Sequence, residues 1–295
     1  MPQQQQYEDY LRKEAHSWGK VQPDPATPQL WQDEQLFELF FGEEYRRLVR
    51  CAVAHGPDVL ELGCGEGSLS LTLAKEGCRV AGLDLSGQRI ERAKAKAAEL
   101  GLSDRAAFSV ADLNHVVLPT RAYSCVVAHD ALHHILHLDH LFSEVVKALK
   151  PGGRIVVLDY CGMGRLRKIM AAGLTALLPT HQSYSSKWRS RKYLRSFLAD
   201  EESKRLAIRN GDNSRLHSES PFEGISQLSL ISRLGTQFEP VRLKTFLPFW
   251  FYLAPKLRLG NLLRPKAGRF FWFLDDGLSA LGVRGAYFSF EGRVL

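Results

Sequence analysis

The sequence predicts an α/β fold, a doubly wound parallel sheet covered by helices on both faces. Between residues 57 and 160, apolar runs of strand length alternate with amphipathic helical stretches. The runs are apolar almost without interruption, as strands buried on two faces are. The first of them, at 59–62, breaks into a turn carrying Gly63, Gly65 and Gly67, and glycine lets backbone approach a ligand closely.

Ahead of the alternation, residues 7–50 form a helical lead-in. A helical stretch at 7–20 meets a proline-rich break at 21–28, since proline fixes φ and stops helices. The helical period resumes with Leu30, Phe37, Phe40, Phe41, Tyr45 and Leu48 at apolar positions. A strand at 58–64 feeds a helix at 67–77 that a glycine stops. The second strand covers 79–86, and Ser86 caps a helix that Gly101 ends. The third strand covers 106–113 and the fourth 123–130. A helix at 137–150 is stopped by Pro151, Gly152 and Gly153, and 154–160 is the fifth strand. Beyond Cys161 the rhythm changes to a mostly helical, basic insertion at 161–235. A strand at 238–249, an aromatic-rich helical segment at 250–284 and a strand at 285–295 follow. The expected divisions are therefore 1–50, 51–160, 161–235 and 236–295.

The chain has 295 residues, 45% of them hydrophobic and 24% charged, which suits a soluble globular enzyme with a sizeable core. The net charge is +7. The basic excess is densest from Arg165 to Arg209. A solvated helical face and attraction to an anionic substrate, lipid surface or nucleic acid both fit it. The five cysteines, Cys51, Cys64, Cys78, Cys125 and Cys161, contain no C-x-x-C pair, which argues against a disulfide framework or a zinc site. No apolar signal follows Met1, so a cytoplasmic setting is expected. The longest apolar runs, 169–179 and 245–255, are too short to span a bilayer.

The glycine spacing is G-x-G-x-G rather than the dinucleotide pattern G-x-G-x-x-G, and Glu61 stands two residues ahead of it. A carboxylate there repels a pyrophosphate and pairs with an ammonium group. The expected ligand is a nucleoside carrying positive charge. Asp84 ends the second strand, where it can accept from two ribose hydroxyls. Asp112 ends the third, where it can accept from an adenine amino group, with Leu113 lending its N–H and Leu85 packing on the ring.

Residues 59–160 resemble the class I S-adenosylmethionine-dependent methyltransferases. The matching stretches are 61–67 (ELGCGEG), 82–86 (GLDLS), 111–113 (ADL), 131–135 (ALHHI) and 149–154 (LKPGGR). The resemblance implies a seven-stranded, mostly parallel sheet ending in an antiparallel hairpin, which 238–249 and 285–295 would form. It implies S-adenosylmethionine as cofactor, held by Glu61, Gly63, Cys64, Gly65, Gly67, Asp84, Leu85, Ala111, Asp112, Leu113 and His129. In related enzymes the lead-in folds over the cofactor as a lid.

His129, Asp130, His133 and His134 lie just past the fourth strand. A base is needed only where the acceptor must lose a proton, and histidine suits neutral pH. His133 resembles the histidine that serves as base in O-methyltransferases, with His129 or His134 as substitutes. His129, His133 and His137 also fall at i, i+4, i+8, with His140 following. That stretch begins at a strand end, and no metal is expected.

The pieces at 218–226 and 257–293 resemble the tails of bacterial small-molecule methyltransferases. Aromatic residues at 246–252 and 270–273 fit an acceptor pocket, a membrane interface or ordinary core. The expected function is methyl transfer to a small-molecule, natural-product or lipid- or glycan-linked acceptor, most simply at a hydroxyl oxygen. Its rivals are an RNA methyltransferase, disfavoured because no RNA-binding module is recognisable, and a non-catalytic membrane-peripheral protein of the same fold.

Overall fold

The computed structural model describes residues 4–20, 33–189, 198–211, 216, 220–260 and 263–295. The break at 21–28, Leu30, Trp31, Arg191, Lys192 and Arg195 lie outside the described residues.

Seven strands form one sheet in the order β3-β2-β1-β4-β5-β7-β6. They are β1 (Asp58–Leu62), β2 (Arg79–Asp84), β3 (Ala106–Val110), β4 (Tyr123–His129), β5 (Leu149–Tyr160), β6 (Phe238–Phe246) and β7 (Tyr287–Val294). The first five run parallel, and β7 lies antiparallel between β5 and β6. Alternate side chains of each strand enter opposite layers, as the pleat requires. Val59, Cys125, Val127, Val156 and Leu158 join one core layer. Leu60, Leu62, Val126, Ile155 and Val157 join the other.

Two helices precede the sheet, α1 (Gln4–Gly19) and α2 (Glu34–His55). The Asp33 side chain caps α2 by accepting the Leu36 N–H at 3.1 Å. Leu36, Phe40, Phe41, Leu48 and Ala52 give α2 a buried face in the first layer. The helix runs on to His55, so the expected division after residue 50 falls inside it. Between the strands come α3 (Ser68–Lys75), α4 (Gly87–Glu99) and α5 (Leu138–Ala148). The helix expected to reach residue 150 ends at Ala148, because Leu149 already has extended backbone and opens β5. Ser86 occupies the cap position of α4 without a side-chain cap bond. Its backbone N–H donates to Asp84 Oδ1 at 2.8 Å.

The insertion is helical as expected, with α6 (Arg165–Leu177), α7 (Tyr184–Arg189), α8 (Glu201–Asn210) and α9 (Leu230–Leu234). Tyr10 of α1 packs with Ala207, Ile208, Phe222 and Ile225 in a third apolar cluster, which ties the lead-in to the insertion. The strand expected over 238–249 stops at Phe246. The cause is Asp275 on α10 (Arg264–Ala280). Its carboxylate accepts the N–H groups of Phe249, Trp250 and Phe251 at 2.8–2.9 Å and bends them into a 3₁₀ turn. Phe246, Phe249 and Phe251 are buried core residues, whereas Phe270 and Phe273 are exposed.

Phe238 is fully buried and meets the Phe142 ring edge-on at 6.0 Å. Phe238→Ala should cost about 3–5 kcal/mol, read as a lower midpoint in equilibrium urea denaturation. An unchanged midpoint would show that β6 is not part of the cooperative core.

Candidate active site

The candidate site lies at the carboxyl ends of the parallel strands, the edge where open α/β sheets bind ligands. Gly63, Gly65 and Gly67 all have left-handed φ, at 71°, 53° and 79°, so glycine is required at this turn. The N–H groups of Gly63 and Cys64 donate to the Leu83 carbonyl at 2.8 and 2.9 Å. That of Gly65 donates to Asp84 Oδ2 at 2.8 Å. A Cβ on Gly63 would collide with Ala131, so the turn lies against the segment that follows β4. Cys64 is buried beside Gly82, where a Cβ would come within 2.9 Å of its sulfur. Burial, with Glu61 and Asp84 nearby, pushes its thiol far up, so Cys64 serves as packing.

Glu61 is buried on β1 and accepts from the Ser70 hydroxyl. Burial outweighs that bond and, with Asp84 adding to it, pushes the carboxyl up to about 7. Asp84 divides its oxygens between the N–H groups of Gly65 and Ser86. Leu85 is half-buried beside it. The Ala111 N–H donates to the Asp84 carbonyl at 2.9 Å, which joins the ends of β2 and β3. Asp112 Oδ1 accepts from the backbone and side-chain N–H of Asn114, each at 2.9 Å. Its Oδ2 accepts from the Tyr7 hydroxyl at 2.8 Å and pairs with His115 Nδ1 at 2.9 Å. These bonds overcome burial and hold the carboxyl low. Leu113 is buried in the core beneath.

A cation lies over the glycine turn. Arg89 Nη2 comes within 2.6 Å of where a Gly65 Cβ would stand. Its guanidinium faces the Trp18 ring at 5.6 Å, and its buried Nε has no hydrogen-bond partner among the described residues.

The histidines separate into different roles. His129 ends β4 edge-on to Tyr45 at 5.3 Å and Phe37 at 6.3 Å, and burial lowers its pKa. His133 and His134 sit in a 3₁₀ turn (Leu132–His134). Asp159, fully buried at the end of β5, organises that turn. Its Oδ2 accepts the N–H groups of Ala131 and Leu132 at 3.1 and 2.7 Å. Its Oδ1 accepts the Tyr160 N–H and pairs with His133 Nδ1, both at 2.6 Å. Burial alone would lower the His133 pKa, but the Asp159 charge and hydrogen bond raise it to about 9.

His134 Nδ1 pairs with Glu14 of α1 at 2.9 Å. Glu14 also accepts from Trp18 Nε1, Ser220 Oγ and the Phe222 N–H at 2.8–3.0 Å. The Nε2 atoms of His133 and His134 lie 3.9 and 3.7 Å from the two oxygens of Glu223. Tyr160 and Tyr287 complete the surroundings, with the Tyr287 hydroxyl 3.5 Å from Asp130 Oδ1. The histidines at 129, 133 and 137 do not converge. His137 meets the His115 ring, and His140 bonds the Val116 carbonyl.

The sequence marked Tyr7 only as part of the expected lid, and did not mark Asp159, Glu14 or Glu223. Asp159 had a signal, an acid at the carboxyl end of an otherwise apolar fifth strand. Glu14 and Glu223 had none, because their partners lie far away in the chain.

Residues 59–153 match a family model described as a methyltransferase domain. The chain is 31% identical over 153 residues to the methyltransferase GfsG of Streptomyces halstedii, covering 51% of this chain and 52% of that protein. It is 30% identical over 106 residues to the 27-O-demethylrifamycin SV methyltransferase of Amycolatopsis mediterranei, covering 36% and 39%. It is 28% identical over 169 residues to the sterol 24-C-methyltransferase of Saccharomyces cerevisiae, covering 54% and 44%. The chain thus spans about half or less of the length of these curated relatives. Among solved structures, geranyl diphosphate C-methyltransferase from Streptomyces coelicolor shares the fold, with a TM-score of 0.53, 16% identity and coverage of 97% and 98%. The [4+2]-cyclase SpnF does so with a TM-score of 0.52, 18% identity and coverage of 98% and 95%. Those two names differ in chemistry, so the fold alone does not fix the reaction.

Asp159→Asn removes the charge that raises His133. The His133 ring should then titrate nearer the ordinary histidine value of about 6.5, followed by NMR of the imidazole carbons. A midpoint left near 9 would show that Asp159 is not the cause.

Proposed function

We propose that residues 59–153, which match a methyltransferase-domain model, act as a class I S-adenosylmethionine-dependent methyltransferase, and that this protein methylates a small-molecule or lipid-linked acceptor at a hydroxyl oxygen. The observation that carries the proposal is the acidic glycine turn. Glu61 and Asp84 are buried around it, Asp112 lies two residues past the end of β3 at Val110, short of the expected 113, and a guanidinium is drawn over Gly65. Such a site favours a cation and disfavours a pyrophosphate.

The residues fit S-adenosylmethionine. Glu61 would hold the ammonium of its methionine end, with backbone from Gly63, Cys64, Gly65 and Gly67. Asp84 would accept from the ribose hydroxyls and Leu85 would cover the ring. Ala111, Asp112 and Leu113 would border the adenine, with Tyr7 sharing or yielding its bond to Asp112. His129 would border the reacting end. When bound, the cofactor supplies a methyl group on a sulfonium that needs no further activation. The protein's contribution is alignment and exclusion of water, and alignment can remove roughly 7–11 kcal/mol of barrier.

His133 is the proposed base. Asp159 fixes its Nδ1, which leaves Nε2 to take the acceptor's proton. With a pKa of about 9 the ring carries a proton at neutral pH, so its basic form gains population as pH rises. His134, tied to Glu14, orients the same turn. The acceptors named for relatives, sterols, a demethylrifamycin and geranyl diphosphate, agree with a small-molecule acceptor. Mass spectrometry of labelled methyl transfer into cell extract tests the activity. Failure to transfer to any acceptor would leave a binding protein of this fold.

Calorimetry with S-adenosylhomocysteine, which keeps the ammonium, tests Glu61. The ligand should favour the carboxylate, so affinity should rise from about pH 6 to about pH 8. Glu61→Gln should bind more weakly and flatten the dependence. A flat wild-type profile would remove Glu61 from the site. With a hydroxyl acceptor, kcat/KM should climb with pH toward about 9. His133→Ala should lower turnover by about 10²–10⁴-fold, and Asp159→Asn should move the inflection to lower pH. Unaltered turnover in His133→Ala would remove His133 as base.

A further inference from the structure

Half of the large apolar side chains exposed among the described residues, nine of eighteen, lie on or at the ends of α6 and α10. On α6, Leu166, Ile169, Met170 and Leu177 recur at the helical period, and Leu177 is 72% exposed. On α10 and at its ends, Leu263, Phe270, Phe273 and Leu281 recur in the same way, with Phe273 66% exposed, and Trp272 is exposed elsewhere on the same helix. Aromatic exposure on this scale marks an interaction surface.

The two helices flank one segment. Arg167 in the first turn of α6 donates to the carbonyls of Pro248 and Arg284 at 2.8 and 2.7 Å. The chain after α6 pairs with Leu257 through Thr180. Their charge is one-sided. Arg165, Lys266 and Arg269 are exposed beside the apolar stripes. No acid occurs on α6. Of the two acids on α10, Asp275 is buried against the backbone of 249–251, which leaves Asp276.

We infer that α6 and α10 seat the protein on an anionic lipid bilayer. Among the described residues no helix is long and apolar enough to cross a membrane. Short amphipathic helices with aromatic and basic residues lie in the interface plane instead. The surface also connects inward to the candidate site. Phe271 stacks on Trp250 at 5.4 Å, and Phe251 of the same turn meets Tyr287 at 5.5 Å, beside Asp130. Packed rings thus connect the underside of α10 to the candidate site.

Vesicle cosedimentation of the full chain tests the seat without reference to methyl transfer, so its failure would not count against the activity. Binding should be strong to vesicles containing phosphatidylglycerol, weak to phosphatidylcholine alone, and reduced by salt. A Phe270→Ser, Phe273→Ser double variant should lose about tenfold or more of the affinity. Lys266→Ala with Arg269→Ala should weaken binding to the anionic vesicles alone. These positions are exposed, and unchanged circular dichroism checks the fold. The inference is overturned if the chain ignores anionic vesicles or if the Phe pair does not matter. It is also overturned if light scattering shows a dimer that the Phe variant dissolves and no vesicle binding occurs.

Discussion

The site depends on one buried carboxylate. Asp159 sits in the interior at the end of β5, where an unpaired charge would be untenable. Three backbone N–H groups and the His133 ring satisfy it. Burial raises its pKa, and these partners outweigh burial and hold it low. In return it sets the backbone from Ala131 to Leu132 after β4. That backbone brings Ala131 so close to Gly63 that a Cβ there would collide with it. One acid thereby organises the histidine turn, which lies against the glycine turn.

The sheet was legible because its signals are local. Strand runs, glycine stops and the antiparallel position of the last two strands follow from period, punctuation and family likeness. The departure at β6 arises from a contact between residues distant in sequence. β6 is cut short by Asp275, which reaches back to 249–251 and takes N–H groups that a longer strand would have used. At the site, three strand-end acids could be read from spacing, and the fourth, Asp159, had the same signature. The links from Tyr7 to Asp112 and from Glu14 to His134 could not, since each spans more than a hundred residues.

Charge explains why a glycine turn of this kind suits a cation. Helix starts attract anions, yet here Glu61 and Asp84 lie buried beside one. The carboxyl of Glu61 is pushed up to about 7 because little in that interior neutralises it. Arg89 approaches for the same reason, and Trp18 of α1 covers its other side. The lead-in helix therefore meets the turn through a guanidinium, and meets the histidine turn through Glu14.

The strand order has a consequence for the time course of synthesis. β6 pairs with β7 and with no other strand among the described residues, and β7 is made last of the seven. While a ribosome is still translating residues 247–294, β6 has no ladder partner and the open side of β5 is bare. The nascent sheet thus carries unpaired backbone until Val294 has emerged. Such edges invite pairing with other chains. The first five strands can assemble around their own crossovers before then, so vulnerability to misassembly is concentrated in the interval between the synthesis of β6 and that of β7.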